Sequence, residues 1–476
     1  MDFSSIHTMF STNARRFHDE IILWHRPQTG ARYAELTWGQ LEEMVVCFAS
    51  ALLDMGFAPG DRLAILACNR LEWLVADLGT LMAGGADVPI DPTNTPSQCE
   101  YILNNSQARF IVVEDSDQLT RLTPCLPNIA SLEKIILVEG SAPSEEAPVV
   151  TWDAVMQTGV DKQSALSEAR QQRMQQCDPL NLATIVYTSE TSGPPKGCMV
   201  SHQNILFLLA SIDALHNIAS QTNLSLLALP LAHFYPRVFG YYYNLYKNIP
   251  LALAESHDTL TKDLRDTAPT FFCCAPAMLE KVYADICEAA EKGSWLKRSL
   301  FGWAVGIGRN HAKRVNVQIF EPLLNRLLYR IADRLVFAKI RKRLGGRLAF
   351  AFSVGAPLAA GPGEFIRGLG VKVVVFYGRT ETLGGTMTTR NATRSGTVGK
   401  AMPGFEVALA QNGEILIKGN NFMGYLNNPE QTEAVLREGW CYTGDKGRWQ
   451  YDNLVLSEYR NDPVVIPGNQ KNYRII

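Results

Sequence analysis

No stretch of these 476 residues approaches the ~20 consecutive apolar side chains that a membrane-spanning helix requires. The charges lean to neither sign: 45 Lys and Arg stand against 47 Asp and Glu, a net −2 with a pI near 6.5. That balance gives no global electrostatic case for a nucleic-acid partner. The ten cysteines form no framework and no C-x-x-C pair occurs, so reduced thiols in a cytoplasmic protein are expected. The opening stretch, MDFSSIHTMFSTNARRF, carries an acid at its second position and no apolar core, unlike a signal peptide. Repeats at the short periods of solenoids are absent.

What is present is ordinary globular composition, 46% hydrophobic and 19% charged, in a chain too long for one hydrophobic core. Residues 37 to 56 predict a helix capped by Thr37 and ended by Gly56. DRLAILACN, ADVPIDPTN and ARFIVVED predict strands that alternate with helices, the signature of a doubly wound α/β unit with a mainly parallel sheet. A linker, EGSAPSEEAP, precedes a second run of alternating elements. This run includes NLATIVYTS, a helix capped by Ser201, and the buried strands PTFFCCAP and VKVVVFYG. From about 384 the texture changes to short alternating strands with a hairpin turn at Gln411-Asn412-Gly413, which predicts a small β-barrel. The expected units are therefore α/β over 1–180, α/β over 181–383, and a barrel over 384–461. Between Lys297 and Arg347, thirteen Lys or Arg stand against two acids, Glu321 and Asp333. This basic amphipathic stretch is either a solvated face or a peripheral contact with an anionic membrane surface or an acidic partner.

One loop carries a chemical signal. In IVYTSETSGPPKGCMVSHQN, residues 185 to 204, hydroxyls, backbone N–H groups and Lys196 together suit a bound triphosphate. The spacing is not GxxxxGK[ST], and alone it is a weak signal. It has company in LPLAHFYPRVFGYYYNLY, SVGAPL, FYGRTET, CYTGDKGRW and YRNDPVVIPGNQKN.

These six motifs, in this order across essentially the whole chain, resemble those of the AMP-forming acyl-CoA synthetases. The wording is most similar to the long-chain fatty-acid branch of that adenylate-forming superfamily. The resemblance implies a large N-terminal domain of two α/β subdomains plus a β-barrel. It also implies ATP and Mg²⁺ as cofactors, a carboxylic-acid substrate, and coenzyme A or a carrier protein as acceptor. Residue by residue, Thr188, Ser189, Thr191, Ser192, Gly193 and Lys196 match the loop for the β- and γ-phosphates, with Glu190 in their midst. Gly355, Ala356 and Pro357 match the adenine segment, and Tyr377, followed by Gly378, matches the aromatic stacked on that ring. Thr380 matches a phosphate-contacting hydroxyl, Glu381 the Mg²⁺ ligand, Asp445 the ribose carboxylate, and Arg460 a ribose or phosphate contact. His233, with Phe234 after it, matches the gate to the acyl site, and Tyr242 is a candidate tunnel residue. Asp462 matches the hinge, so 462–476 would be the start of a further domain.

Three departures qualify this. Glu190 stands where the loop motif has Gly; a carboxylate ~5 Å from a phosphate charge would repel it by about 3 kcal/mol at an effective dielectric of ~20. Val354 replaces a Gly, and Arg379 fills the variable position of YGxTE, either as a cation in the site or as a solvated one. Only fourteen residues follow Asp462, so the lysine of the family's C-terminal domain is missing and the thioester step is expected to be impaired. Two other readings stay open. One is an adenylating enzyme redirected to another acceptor or oxyanion, such as nitrite in N–N bond formation; the other is a non-catalytic acyl- or nucleotide-binding relative.

Overall fold

The computed structural model describes residues 3–141, 148–188, 194–219, 223–256, 258–316, 320–356, 358–390 and 393–458. Local chemistry sets the helix starts. Thr37 opens Trp38–Asp54 with a capping box: it accepts the Gln40 N–H while the Gln40 side chain accepts the Thr37 N–H. Ser201 and Asn204 repeat the device at His202–His216. Gly56, at φ 83°, carries the chain out of the first of these helices.

Two mainly parallel sheets and one antiparallel sheet form the fold, as the α/β-plus-barrel class predicts. The first sheet has eight strands, in the order 424–425, 196–201, 182–188, 86–90, 62–66, 110–115, 134–139 and 149–151. The second has nine, in the order 400–401, 384–387, 372–379, 350–353, 271–274, 225–227, 251–253, 21–25 and 34–37. Their central strands are mostly apolar and almost wholly buried, the pattern of sheets covered on both faces. The third sheet curls from Glu406–Leu409 through Glu414–Lys418 and Trp440–Gln450, with Leu436–Arg437 and Asn453–Glu458 completing it.

The sheets do not divide at the expected boundaries. The hairpin 182–201 completes the first sheet, and strands 21–25 and 34–37 lie at the edge of the second. Strands 384–387 and 400–401 also extend the second sheet rather than the third. Apolar periodicity specifies that a strand forms, not which edge it joins. Here a tight turn decides. Leu383 takes a positive φ of 46°, the Thr382 N–H bonds Arg379 O at 3.0 Å, and Gly384–Met387 folds back on Phe376–Arg379. Gly378 permits the approach, since a Cβ there would lie 2.5 Å from Gly384 O.

Candidate active site

The site is built where the first sheet's edge meets the turn that ends the second sheet's long strand. Thr188 ends strand Leu182–Thr188 and is paired in register with Lys196, which begins Lys196–Ser201. The two ends thus grip the loop between them; Ser189, Glu190, Thr191, Ser192 and Gly193 lie outside the described residues. Gly424–Tyr425 adds to this hairpin as its edge strand. That addition places the Tyr425 ring 5.2 Å from Lys196 Nζ, within cation–π range.

From Tyr425 the contacts run inward. Its hydroxyl donates to Glu381 Oε1 at 2.7 Å, and Glu381 is 6% exposed. Burial and the Glu381 charge both push the Tyr425 phenol upward, so it stays a donor. Glu381 Oε2 lies 3.6 Å from Arg379 Nε, and Arg379 Nη1 lies 3.7 Å from Asp445 Oδ1. Both separations are ion-pair contacts longer than a hydrogen bond. Asp445 is fully enclosed; its Oδ2 accepts the Tyr377 hydroxyl at 2.8 Å, and its N–H donates to Thr443 Oγ1 at 3.1 Å. Burial, then the Asp445 charge, raises the Tyr377 phenol well above its ordinary value. Arg379 is therefore no solvated side chain: at 10% exposure it stands between the two carboxylates.

A cleft lined by Asp91, Thr93, Tyr187, Thr188, Pro195 and His233 joins the end of strand Leu182–Thr188 to the segment that begins at His233. His233 Nε2 is 3.5 Å from Asp91 Oδ2, and loss of solvation on burial lowers its pKa against that charge. His233 also starts the short helix Phe234–Arg237, which continues as a π turn, Val238–Tyr242. Phe234 is buried against Tyr235. The Tyr242 hydroxyl is placed in an ionic cluster rather than at a free surface. It donates to Asp77 Oδ1 at 2.9 Å and accepts from Arg237 Nη2 at 2.7 Å, and Arg237 Nη2 also meets Asp77 Oδ1 at 2.9 Å and Asp87 Oδ2 at 2.6 Å. These side chains are at most 1% exposed. Burial and the Asp87 charge hold the Asp77 carboxyl well above the usual carboxylate range, against Arg237.

The structure thus brings Thr188, Lys196, Tyr377, Glu381 and Asp445 around one cluster, with Gly378 and Thr380 in the chain between them. Gly355 takes φ 86°, a conformation suited to glycine, beside Ala356; Val354 lies outside the left-handed region. Pro357, Arg460 and Asp462 lie outside the described residues. Sequence reasoning missed Tyr425 and the Asp77–Asp87–Arg237 group. Nothing local marks them, because each acts through a partner more than 40 residues away, such as Tyr425 with Glu381.

Residues 10–426 match the family model of the AMP-binding enzymes. Among curated proteins, the chain is 30% identical over 489 residues to a long-chain-fatty-acid–CoA ligase, ACSBG2, of Xenopus laevis, covering 98% of this chain and 64% of that one. It is 29% identical to the long-chain-fatty-acid–CoA ligase FadD15 of Mycobacterium bovis, covering 95% of this chain and 74% of that one. It therefore spans about two thirds to three quarters of the length of these relatives. Among solved structures, the anthranilate–CoA ligase AuaEII in complex with anthranoyl-AMP superposes with a TM-score of 0.74 at 16% identity, over 95% of this chain and 77% of that one. The N-terminal domain of FACL13 from Mycobacterium tuberculosis gives 0.68 at 18% identity, over 96% of this chain and 100% of that one. At these identities the structures show the shared fold.

Proposed function

Because the chain belongs to the AMP-binding enzyme family, we propose that its central cluster activates a carboxylic acid, a fatty acid above all, as acyl-AMP. A carboxylate oxygen bonds to the α-phosphorus of ATP, and the bridging oxygen leaves with pyrophosphate. Both reactants are anions, so the reaction needs cations where charge accumulates. Lys196 serves the leaving phosphates and Asp445 the ribose hydroxyls. Arg379, set between the two carboxylates, supplies a second cation for the phosphates.

Glu381 offers the hard oxygen that suits Mg²⁺, an ion commonly held by one or two carboxylates together with substrate phosphates. When bound there, the ion neutralises phosphate charge. Tyr425 holds the Glu381 carboxylate in place from the other side. His233 and Phe234 separate nucleotide from acid. The activated acyl group then passes to coenzyme A or a carrier protein.

The observation that supports this reading is the convergence of Lys196, Glu381 and Asp445, from three separate parts of the chain, on Tyr425 and Arg379. Pyrophosphate release with Mg-ATP, screened against fatty acids, aryl acids and nitrite, with and without coenzyme A, tests it. Release with fatty acids is expected. Release with nitrite alone would redirect the enzyme to other chemistry, and none with any acid would make the chain a binding protein.

A further inference from the structure

The basic stretch noted in the sequence folds as a helical layer on the outside of the second sheet. Trp295–Asn316 packs on Ala360–Gly368 so closely that a Cβ at Gly308 would lie 3.2 Å from Gly368 O. Leu323–Ala332, the π turn Asp333–Phe337 and Ala338–Arg343 follow. The inner face is fixed: the Tyr329 hydroxyl donates to Gly368 O at 3.2 Å, His311 stacks on Tyr329 at 3.7 Å, and Ala332, Phe337 and Ile340 are buried.

Among the described residues the outer face carries an exposed apolar row. Leu323, Leu327, Ile331 and Leu335 recur every four residues and are 80%, 55%, 42% and 43% exposed. Leu324 at 65% and Phe320 at 79% widen the stripe. Of sixteen large apolar side chains exposed among the described residues, eleven lie between 295 and 335. A helical stripe at this spacing ordinarily faces a core; a contiguous exposed one marks an interaction surface.

The charges beside it choose the partner. Ten of the thirteen cations between 297 and 347 are exposed, among them Arg326, Arg330 and Arg334 on the turns that carry the stripe. The two acids of the stretch are neutralised in place. Glu321 is buried between His311 at 2.7 Å and Arg326 at 3.8 Å, and Asp333 is paired with Arg341 at 2.5 Å. An apolar row edged by exposed cations that far outnumber the acids beside them matches the boundary between acyl chains and anionic headgroups. No helix among the described residues is long and apolar enough to cross a membrane, so the contact would be peripheral.

We propose that the outer face of residues 320–343 docks the protein on an anionic lipid surface, with Leu323, Leu327 and Ile331 entering the headgroup boundary. The proposal stands independently of the acid-activation chemistry. Each cation brought to such a surface multiplies the partition constant about fivefold, so four engaged cations give ~600-fold.

The test is flotation of the chain with vesicles of phosphatidylcholine alone and of phosphatidylcholine mixed with phosphatidylglycerol. The expected result is binding to the mixed vesicles only, weakened by salt and lost in L323E/L327E. Both positions are solvent-exposed, so the variant keeps its fold, which circular dichroism verifies. No binding by the parent chain would overturn the proposal, and so would binding undiminished in L323E/L327E. Light scattering that shows a dimer dispersed by L323E/L327E, with no vesicle binding, would assign the face to a second copy and overturn it as well.

Discussion

Replacing Arg237 with methionine removes the one cation that contacts both Asp77 and Asp87 among the described residues, and it keeps most of the side chain's volume. The two carboxylates are fully buried and would face each other without that partner. Breaking a buried ion pair from one side costs ~3–5 kcal/mol, because the remaining charge is left desolvated. The cost depends on pH in a defined direction. The folded-state pKa of Asp77 is already raised above its unfolded value, so the folded chain holds more protons. Its contribution to stability is greatest below the unfolded pKa and falls as pH rises toward the folded value. Without Arg237 the Asp77 carboxyl shifts further up, and the fall becomes deeper and extends to higher pH. Urea unfolding followed by circular dichroism, at pH about 5 and about 8, should therefore show a larger loss for Arg237→Met at the higher pH. Arg237→Lys, which keeps the charge, should lose less. A variant as stable as the parent at the higher pH, or an equal loss at both, would refute the reasoning.

Three further outcomes are expected. Asp445→Asn should weaken ATP binding ~10- to 100-fold by calorimetry, the worth of a hydrogen bond to a charged group, while leaving the fold intact. Glu190→Gly should raise ATP affinity by up to ~100-fold by removing a like charge from the phosphate loop; an unchanged affinity would sink that argument. His7 and His202 are buried and held down to pKa values of about 4 and about 3, below the unfolded value, so the folded chain holds fewer protons. Their stability contribution is complete above the unfolded pKa of 6.5 and is lost as pH falls toward 4. The double variant His7→Gln/His202→Gln should flatten that acid slope in urea titrations.

The fold was legible wherever pattern is local. Thr37 and Ser201 announce their helices by composition, and PTFFCCAP or VKVVVFYG can only be buried strands. Strand partnership was not legible, because 182–201 and 384–387 choose their sheets through turn geometry and edge availability. The candidate site divides in the same way. Lys196, Glu381 and Asp445 sit in motifs with a recognisable order, whereas Tyr425 reaches Glu381 only because its strand adds to an edge. Arg379 was visible as an unusual residue, but its place between two carboxylates is a property of the folded turn. The Asp77–Asp87–Arg237 group reads in sequence as three scattered charges, and only burial makes it one unit.

The central claim is that this cluster joins a carboxylic acid to AMP. Mass spectrometry of the chain incubated with Mg-ATP and a long-chain fatty acid, without coenzyme A, tests it most directly. The account predicts acyl-AMP and pyrophosphate in equal amounts, with both lost in Glu381→Gln. ATP bound without acyl-AMP, or acyl-AMP undiminished in Glu381→Gln, would contradict it.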